Sequence, residues 1–351
     1  MSKYGPKCAY GSKPWDDMHG AGKILLGKSR RTLAEFCENL IFAGRPVNLS
    51  RRWINGMTMK RGRKIWLVTT EHLEDGLWFR DDDDFKVGMN YVAVQVAVSN
   101  VVVLVFILMS NHVHFVLFGT WEEVVAFVNG YKMRYAKYLQ RKYGVREFLR
   151  RNGVDIREVP EDEGEAVERA IAYVQMNCVA ANICSHPTHY PWGCGQAFFH
   201  PAKAGGRPLG EISARAKRRM LHCAMDLPDT WLLGEDGYVI PACYVNVRYV
   251  EQLYRTPNRM NYFLNTSSKA RKRVVSGETG LPSFRDQVVL PAVPELGKSL
   301  FSKSSFGDLE REEQVELLRQ LRFRFSSDVN QLARVTGLTY VAAARLLEDS
   351  E

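Results

Sequence analysis

The stretch Met109-Ser110-Asn111-His112-Val113-His114-Phe115-Val116-Leu117-Phe118-Gly119 governs the reading of the chain. It is an apolar run that carries two histidines one residue apart. Successive side chains of an extended strand point to opposite faces. His112 and His114 therefore share one face, and Val113 and Phe115 take the other. Two imidazoles side by side on a rigid strand make half of a metal site. The alternative is a pair of core histidines with satisfied hydrogen bonds, and the strand alone leaves both open. Upstream, Val101 to Leu108 reads as a buried strand that returns through a tight turn at Ser110-Asn111.

A second stretch, Ile171-Ala172-Tyr173-Val174-Gln175-Met176-Asn177, sits in a segment that reads as one helix from about Glu165 to Ile183. Val167, Ile171, Val174 and Cys178 form an apolar stripe at helical spacing. Tyr173 and Asn177 are four residues apart and stack on one face. Either residue alone is an ordinary amphipathic or surface position. Strand and helix together supply two imidazoles, one amide oxygen and one phenol.

His-hydrophobic-His followed by Tyr-x-x-x-Asn resembles the HUH single-tyrosine transposases, in particular the REP-associated tyrosine transposases and their insertion-sequence relatives. Their Met-Pro-Asn-His-x-His segment stands here as Met109-Ser110-Asn111-His112-Val113-His114, with Ser110 in place of proline. Their Tyr-x-x-x-Asn-Pro helix stands here with Cys178 after Asn177. Neither departure touches a reacting group. Tyr190-Pro191-Trp192 is similar to the family's segment after the catalytic helix, and the likeness covers about Lys64 to Phe199.

The resemblance implies an α+β fold with an antiparallel ferredoxin-like (RRM-like) sheet under covering helices. It implies Mg2+ or Mn2+ held by His112, His114 and Asn177, with Tyr173 as the nucleophile. It further implies cleavage and rejoining of single-stranded or hairpin DNA through a 5′-phosphotyrosine. Two alternatives stay open: a catalytically silent DNA-binding regulator on the same fold, and a structure-specific RNA-binding protein.

The whole-chain properties agree with a polyanionic partner. Over 351 residues the net charge is +9, which favours nucleic acid. Seven cysteines include no Cys-x-x-Cys pair, and Met1 to Pro6 opens without an apolar core. The expectation is a reducing cytoplasm, free thiols and no secretory signal. No charged side chain lies between Lys86 and Glu122. That run is long enough to span a bilayer, but Gln95, Asn100, Asn111 and both histidines interrupt it. Buried strands and part of a helix explain it better, so no membrane is expected. The expected assembly is a monomer or homodimer.

Four regions are expected: a basic extension at 1–60, the catalytic domain that the resemblance implies at 61–199, a basic linker and helical region at 200–298, and a mainly helical region at 299–351. The extension holds one candidate amphipathic helix, Ser29 to Ile41, and a basic run from Arg51 to Lys64. Ile65 to Thr70 reads as the first strand. From Phe85 to Val96 helical and strand periodicities conflict, and the resemblance selects helix, with Asp81 to Asp84 at its start. Trp121 to about Tyr143 reads as a long helix. Its Lys132, Arg134, Lys137, Arg141 and Lys142 interleave with Tyr131, Tyr135, Tyr138 and Tyr143, a pattern that suits single-stranded nucleic acid. The alternative is an amphipathic helix with half-buried tyrosines, and the expectation is a mixture in which some tyrosines pack and some cations touch DNA. Arg146 to Gly164 reads as a polar loop, and His200 to Pro208 as a linker.

Arg218 and Arg219 belong to a further basic patch, and Lys269 to Arg273 form another cluster. Tyr244 to Tyr254 reads as helical, and Leu281 to Lys298, punctuated by proline, as a loop. Cys184, His186, His189 and Cys194 fit no zinc spacing. Leu332 to Leu347 resembles a helix-turn-helix, with Gly337 at the turn and Ala333, Ala343 and Leu346 packed inside. A plain helical hairpin is the alternative.

Overall fold

A computed structural model describes residues 62–71, 76–144, 152–199, 205–269, 284–325 and 327–348. The candidate helix at 29–41 and the basic positions 51–61 and 271–273 lie outside the described residues.

The first strand, β1 (Lys64–Thr70), is rich in β-branched and aromatic residues and runs through the middle of the sheet. Helix α1 (Asp82–Ala97) follows. Asp81 caps it by accepting from Asp84 N, and Asp82 to Asp84 complement the helix dipole. Phe85 and every residue from Val87 to Val96 are buried. A helix covered on all sides carries apolar residues at both periods, which is why its sequence also alternates like a strand.

Strands β2 (Val102–Met109) and β3 (His112–Gly119) form a hairpin closed by Ser110 and Asn111. The carbonyl of Ser110 accepts from Trp78 N at 2.7 Å and Phe79 N at 3.1 Å, which pins the hairpin tip. Helix α2 (Trp121–Tyr143) opens with a capping box between Thr120 and Glu123 and ends at Gly144 in the left-handed region.

β4 (Val154–Val159) lies inside the stretch expected to be loop. It is an edge strand, only Val159 of it is buried, and its polar residues mask the alternation. The sheet order is β2-β3-β1-β4 and all pairs are antiparallel. This α+β arrangement agrees with the expected antiparallel sheet under helices.

The expected single helix of 165–183 is interrupted. α3 (Ala166–Gln175) stops at Met176, whose ψ is 0°, and α4 (Asn177–Ala180) restarts after it. Beyond it, Leu108 N donates to Trp192 O at 2.8 Å and the Tyr190 hydroxyl to Leu108 O at 2.7 Å. The Tyr190-Pro191-Trp192 segment thereby covers the outer edge of β2.

Gly206 to Pro208, expected in a linker, form β5, which pairs with β6 (Leu232–Gly234). Between them lies α5 (Ala214–Leu221). α6 (Val247–Tyr254) and α7 (Pro257–Thr266) follow. The expected loop at 281–298 is instead mostly α8 (Asp286–Phe301), a helix that continues through Pro291 and Pro294. Each proline removes one donor, at a cost of roughly 3 kcal/mol. Both are exposed, whereas Val289, Val293 and Gly297, four apart, are buried. Packing of that stripe outweighs the local signal. α9 (Arg311–Phe325), α10 (Val329–Thr336) and α11 (Tyr340–Glu348) complete the helical C-terminal region.

Two apolar clusters organise these elements. One gathers buried residues from Ile65 to Leu264 and so takes in both sides of position 199. The other runs from Val289 to Leu347 and takes in both sides of position 299. Among the described residues no helix is long and apolar enough to cross a membrane. The uncharged stretch after Lys86 is α1 and the β2–β3 hairpin.

Candidate functional site

All eight residues of β3 are buried, because helices cover both faces of the sheet. Phe115 meets Phe127 and Tyr131 of α2, each with ring centroids 5.7 Å apart. His112, His114, Val116 and Phe118 take the opposite face, where α3 packs. The imidazoles of His112 and His114 stand 4.7 Å apart, edge to face. Tyr173, in the last turn of α3, places its ring 5.8 Å from His114, again edge to face. Three of the four side chains expected from the two motifs, His112, His114 and Tyr173, therefore meet.

Each imidazole is oriented through Nδ1. That atom of His112 lies 2.8 Å from Asn111 Oδ1, and that of His114 lies 2.8 Å from Thr69 Oγ1. Thr69 is the cross-strand partner of His114 on β1. Against the Asn111 carbonyl oxygen, His112 Nδ1 carries a proton and Nε2 the lone pair; the Thr69 hydroxyl can donate to His114 Nδ1 or accept from it, and both Nε2 atoms are buried. A hydrogen bond on one ring nitrogen that fixes the other for coordination is the usual support of a metal-binding histidine. Asn177 is buried, and its Nδ2 donates to Tyr173 O at 2.9 Å and Val174 O at 3.1 Å. The side chain bonds the helix where it breaks, and Oδ1 is its acceptor. Two imidazoles and an amide oxygen fit a divalent cation. Among the described residues no group of three or more His, Cys, Asp and Glu side chains is placed for one.

No protein-family model, curated protein or solved structure matches the chain. The geometry therefore carries the functional argument.

Lys269, just past α7, holds its Nζ 4.8 Å from the centre of the Tyr173 ring. The sequence marks it only as part of a basic cluster, and the fold brings it to the phenol. The other tyrosines are committed elsewhere. Tyr131 and Tyr135 are fully buried, and burial holds both phenols well above their ordinary pKa. Tyr135 donates to Trp78 O, and Tyr138 and Tyr143 donate to Asp84. Tyr173 is half-buried.

The tyrosines Tyr131, Tyr135 and Tyr138 of α2 pack into the interior, whereas most of its basic residues stay at least partly exposed. Trp78 stacks on Tyr131 and Tyr135, with centroids 6.4 and 6.0 Å away. Lys132 faces inward as well: it is buried and its Nζ donates to the Asn152 carbonyl. Lys142 pairs with Asp81 at 2.6 Å and Asp84 at 2.8 Å. Arg134 Nε donates to Gln95 Oε1 at 3.2 Å. Lys137, Arg141, Arg218 and Arg219 are exposed. The Cys/His group is dispersed: Cys194 is buried against Phe106 of β2, and His186 bonds Thr188 and Asn261.

Burial pulls the Lys132 ammonium down to about 8, against the attraction of Glu71. The folded chain then holds this proton less tightly than the unfolded chain. Its burden on stability is full below about pH 8 and is relieved as pH rises toward the ordinary lysine value. Unfolding free energy is expected to rise by about 1 kcal/mol between pH 8 and 9.5, and Lys132→Met is expected to flatten that rise. Urea titrations at both pH values check this. An equal rise in the variant would assign it to another group.

Proposed function

We propose that the chain is a metal-dependent DNA strand transferase that cuts and rejoins single-stranded or hairpin DNA through Tyr173. The observation that carries this reading is the meeting of His112, His114 and Tyr173, at ring separations of 4.7 and 5.8 Å. Two histidines from a strand and one phenol from a helix form a constellation that core packing alone does not require.

The element order β1-α1-β2-β3-α2-β4, with sheet order β2-β3-β1-β4, supports the ferredoxin-like reading. His112, His114 and Asn177 are the residues that would hold Mg2+ or Mn2+. When bound, the cation polarises the scissile phosphate and offsets its charge. Thr69 and Asn111 orient the imidazoles through Nδ1.

In the reaction the Tyr173 oxygen attacks phosphorus and the phenolic proton leaves to solvent. The bond from phosphorus to the 3′ oxygen breaks, and that oxygen takes up a proton. The products are a 5′-phosphotyrosine and a free 3′-hydroxyl. Attack by a 3′-hydroxyl reverses the step and releases Tyr173, so the bond energy is kept for rejoining. The Lys269 ammonium beside the ring offsets charge that develops on the phenol oxygen.

A labelled single-stranded hairpin is incubated with the protein and Mn2+ and run on a denaturing gel. A protein-linked DNA band that requires Mn2+ is expected. Binding with no linked band at any metal concentration would favour the silent DNA-binding regulator. The metal site has its own test. Titration calorimetry with Mn2+ is expected to lose its binding signal in His114→Ala, because removing one of two imidazoles removes an anchoring donor. Unchanged affinity would place the cation elsewhere.

A further inference from the structure

We infer that α10, the turn at Gly337 and α11 form a duplex-DNA reading head, separate from the strand-cutting site at Tyr173. The inference rests on the C-terminal helices alone and does not depend on the chemistry proposed above.

Three residues, Gly337 to Thr339, join the two helices. Gly337 has φ +77°, a region that L side chains rarely adopt, and its N–H donates to Ala333 O at 2.9 Å. Leu338 N donates to the same carbonyl at 3.1 Å, which closes the end of α10. The Thr339 hydroxyl then accepts from Ala342 N at 3.2 Å and starts α11. A short glycine turn that stops one helix and caps the next is the connection a helix-turn-helix needs.

The packing sorts the two sides of α11. Ala343 and Leu347 face the second core, and Ala333 of α10 is 1% exposed. Alanines at 333 and 343 allow close approach of the helices. α10 is anchored beneath: Asp286 of α8 receives Arg334 Nε at 2.9 Å and Gln331 Nε2 at 2.8 Å. The opposite side of α11 is open. Tyr340 is 47% exposed, Val341 is 56% exposed, and Arg345 is exposed. Val341 and Arg345 are four apart and share one face, with Tyr340 exposed at the start of the helix, about a quarter-turn round from Val341.

Charge selects the occupant. From Val329 to Leu347 there is no acidic residue, and the N-terminal end of α11 carries the positive end of its dipole. The last turns of α9 add exposed Arg319, Arg322 and Arg324, whereas the acids Glu310, Glu312, Glu313 and Glu316 stand before or early in α9. α9, the helix that carries these arginines, packs against α11. A helix of this width enters the major groove, where apolar side chains meet thymine methyls and arginine meets guanine. A protein partner would bury Tyr340 and Val341 equally well but has no particular use for the exposed arginines. Duplex DNA uses both.

The test is selection of duplexes from a random library by the full-length chain, followed by anisotropy titration of the winners. Enrichment of a common motif is expected. The pair Tyr340→Ala and Val341→Ala, and separately Arg345→Ala, are each expected to weaken binding of the selected duplex about tenfold or more. Binding of an unselected duplex should change far less. All three positions are exposed, and melting profiles like that of the parent chain would establish that the variants fold. No enriched motif, or a motif bound equally by the variants, would overturn the inference. Tyr173→Phe is expected to select the same duplexes, so failure of the strand-cutting reading would show separately on single-stranded substrate.

Discussion

Tyr173→Phe is expected to abolish the protein–DNA adduct while leaving hairpin binding within about twofold of the parent chain. The variant keeps the ring that meets His114 and the Lys269 ammonium, and loses only the atom that attacks phosphorus. Removal of a nucleophile commonly costs on the order of 10^4-fold or more. Rescue by a neighbouring tyrosine is disfavoured. Tyr131, Tyr135 and Tyr190 are fully buried with phenols held well above their ordinary pKa by burial. The Tyr138 and Tyr143 hydroxyls are spent on Asp84. Stability should shift by no more than about 1 kcal/mol, since one half-buried hydroxyl changes. The measurement is the denaturing gel with parent and variant side by side, and anisotropy on the same hairpin. Adduct at parental yield in Tyr173→Phe would remove Tyr173 from the chemistry. Loss of binding together with adduct would make it a binding group.

Much of the positioning frame was legible in the sequence. The histidine hairpin declares itself as two apolar runs around a short turn, and α2 as a long helical stretch, which Thr120 and Glu123 cap and Gly144 ends. Local rules suffice where a segment's partners are its own neighbours. β4 escaped because one of its edges faces no other strand, so polar residues replaced the alternation. α8 escaped because prolines speak locally, whereas Val289 and Val293 are held by helices far along the chain. The tyrosine stripe of α2 is more instructive. Tyr131, Tyr135 and Tyr138 follow helical spacing, and that stripe marks burial as readily as it marks a base-stacking surface. Trp78, which covers two of them, lies far off in sequence.

At the site, the chemistry-bearing residues were legible and their support was not. His112, His114, Tyr173 and Asn177 stand in two short motifs. Thr69 reaches His114 only through the register of β1 against β3, across a sequence separation of 45 residues. Lys269 reaches Tyr173 only after the chain has passed through α5, α6 and α7. Composition gave its charge and could not give its target.

The second large effect concerns the joint between α1 and α2. Asp84 is fully buried. Its Oδ1 accepts from the Tyr138 hydroxyl and the Lys142 ammonium, both at 2.8 Å. Its Oδ2 accepts from Arg80 N at 2.8 Å and the Tyr143 hydroxyl at 2.9 Å. One carboxylate thus satisfies four donors, three from α2 and one from the segment before α1, and the first turn of α1 is tied to the last turns of α2, the helix it packs against. Asp84→Ala would strand the Tyr138 hydroxyl and Arg80 N and leave Lys142 and the Tyr143 hydroxyl with Asp81. Removing one partner of a buried ionic network costs about 3–5 kcal/mol. For a core of this size the melting temperature should fall by roughly 10 °C. Asp83→Ala is the contrast: its side chain is 78% exposed and its 3.4 Å pair with Lys86 is a surface contact, so the shift should stay below about 0.5 kcal/mol. Thermal unfolding followed by circular dichroism distinguishes the two. If Asp84→Ala melts with Asp83→Ala, water satisfies the stranded donors and the joint does not hold the sheet's cover. If it melts far below, the helix that closes the face behind β3 depends on one carboxylate, and the histidine strand keeps its alignment through it.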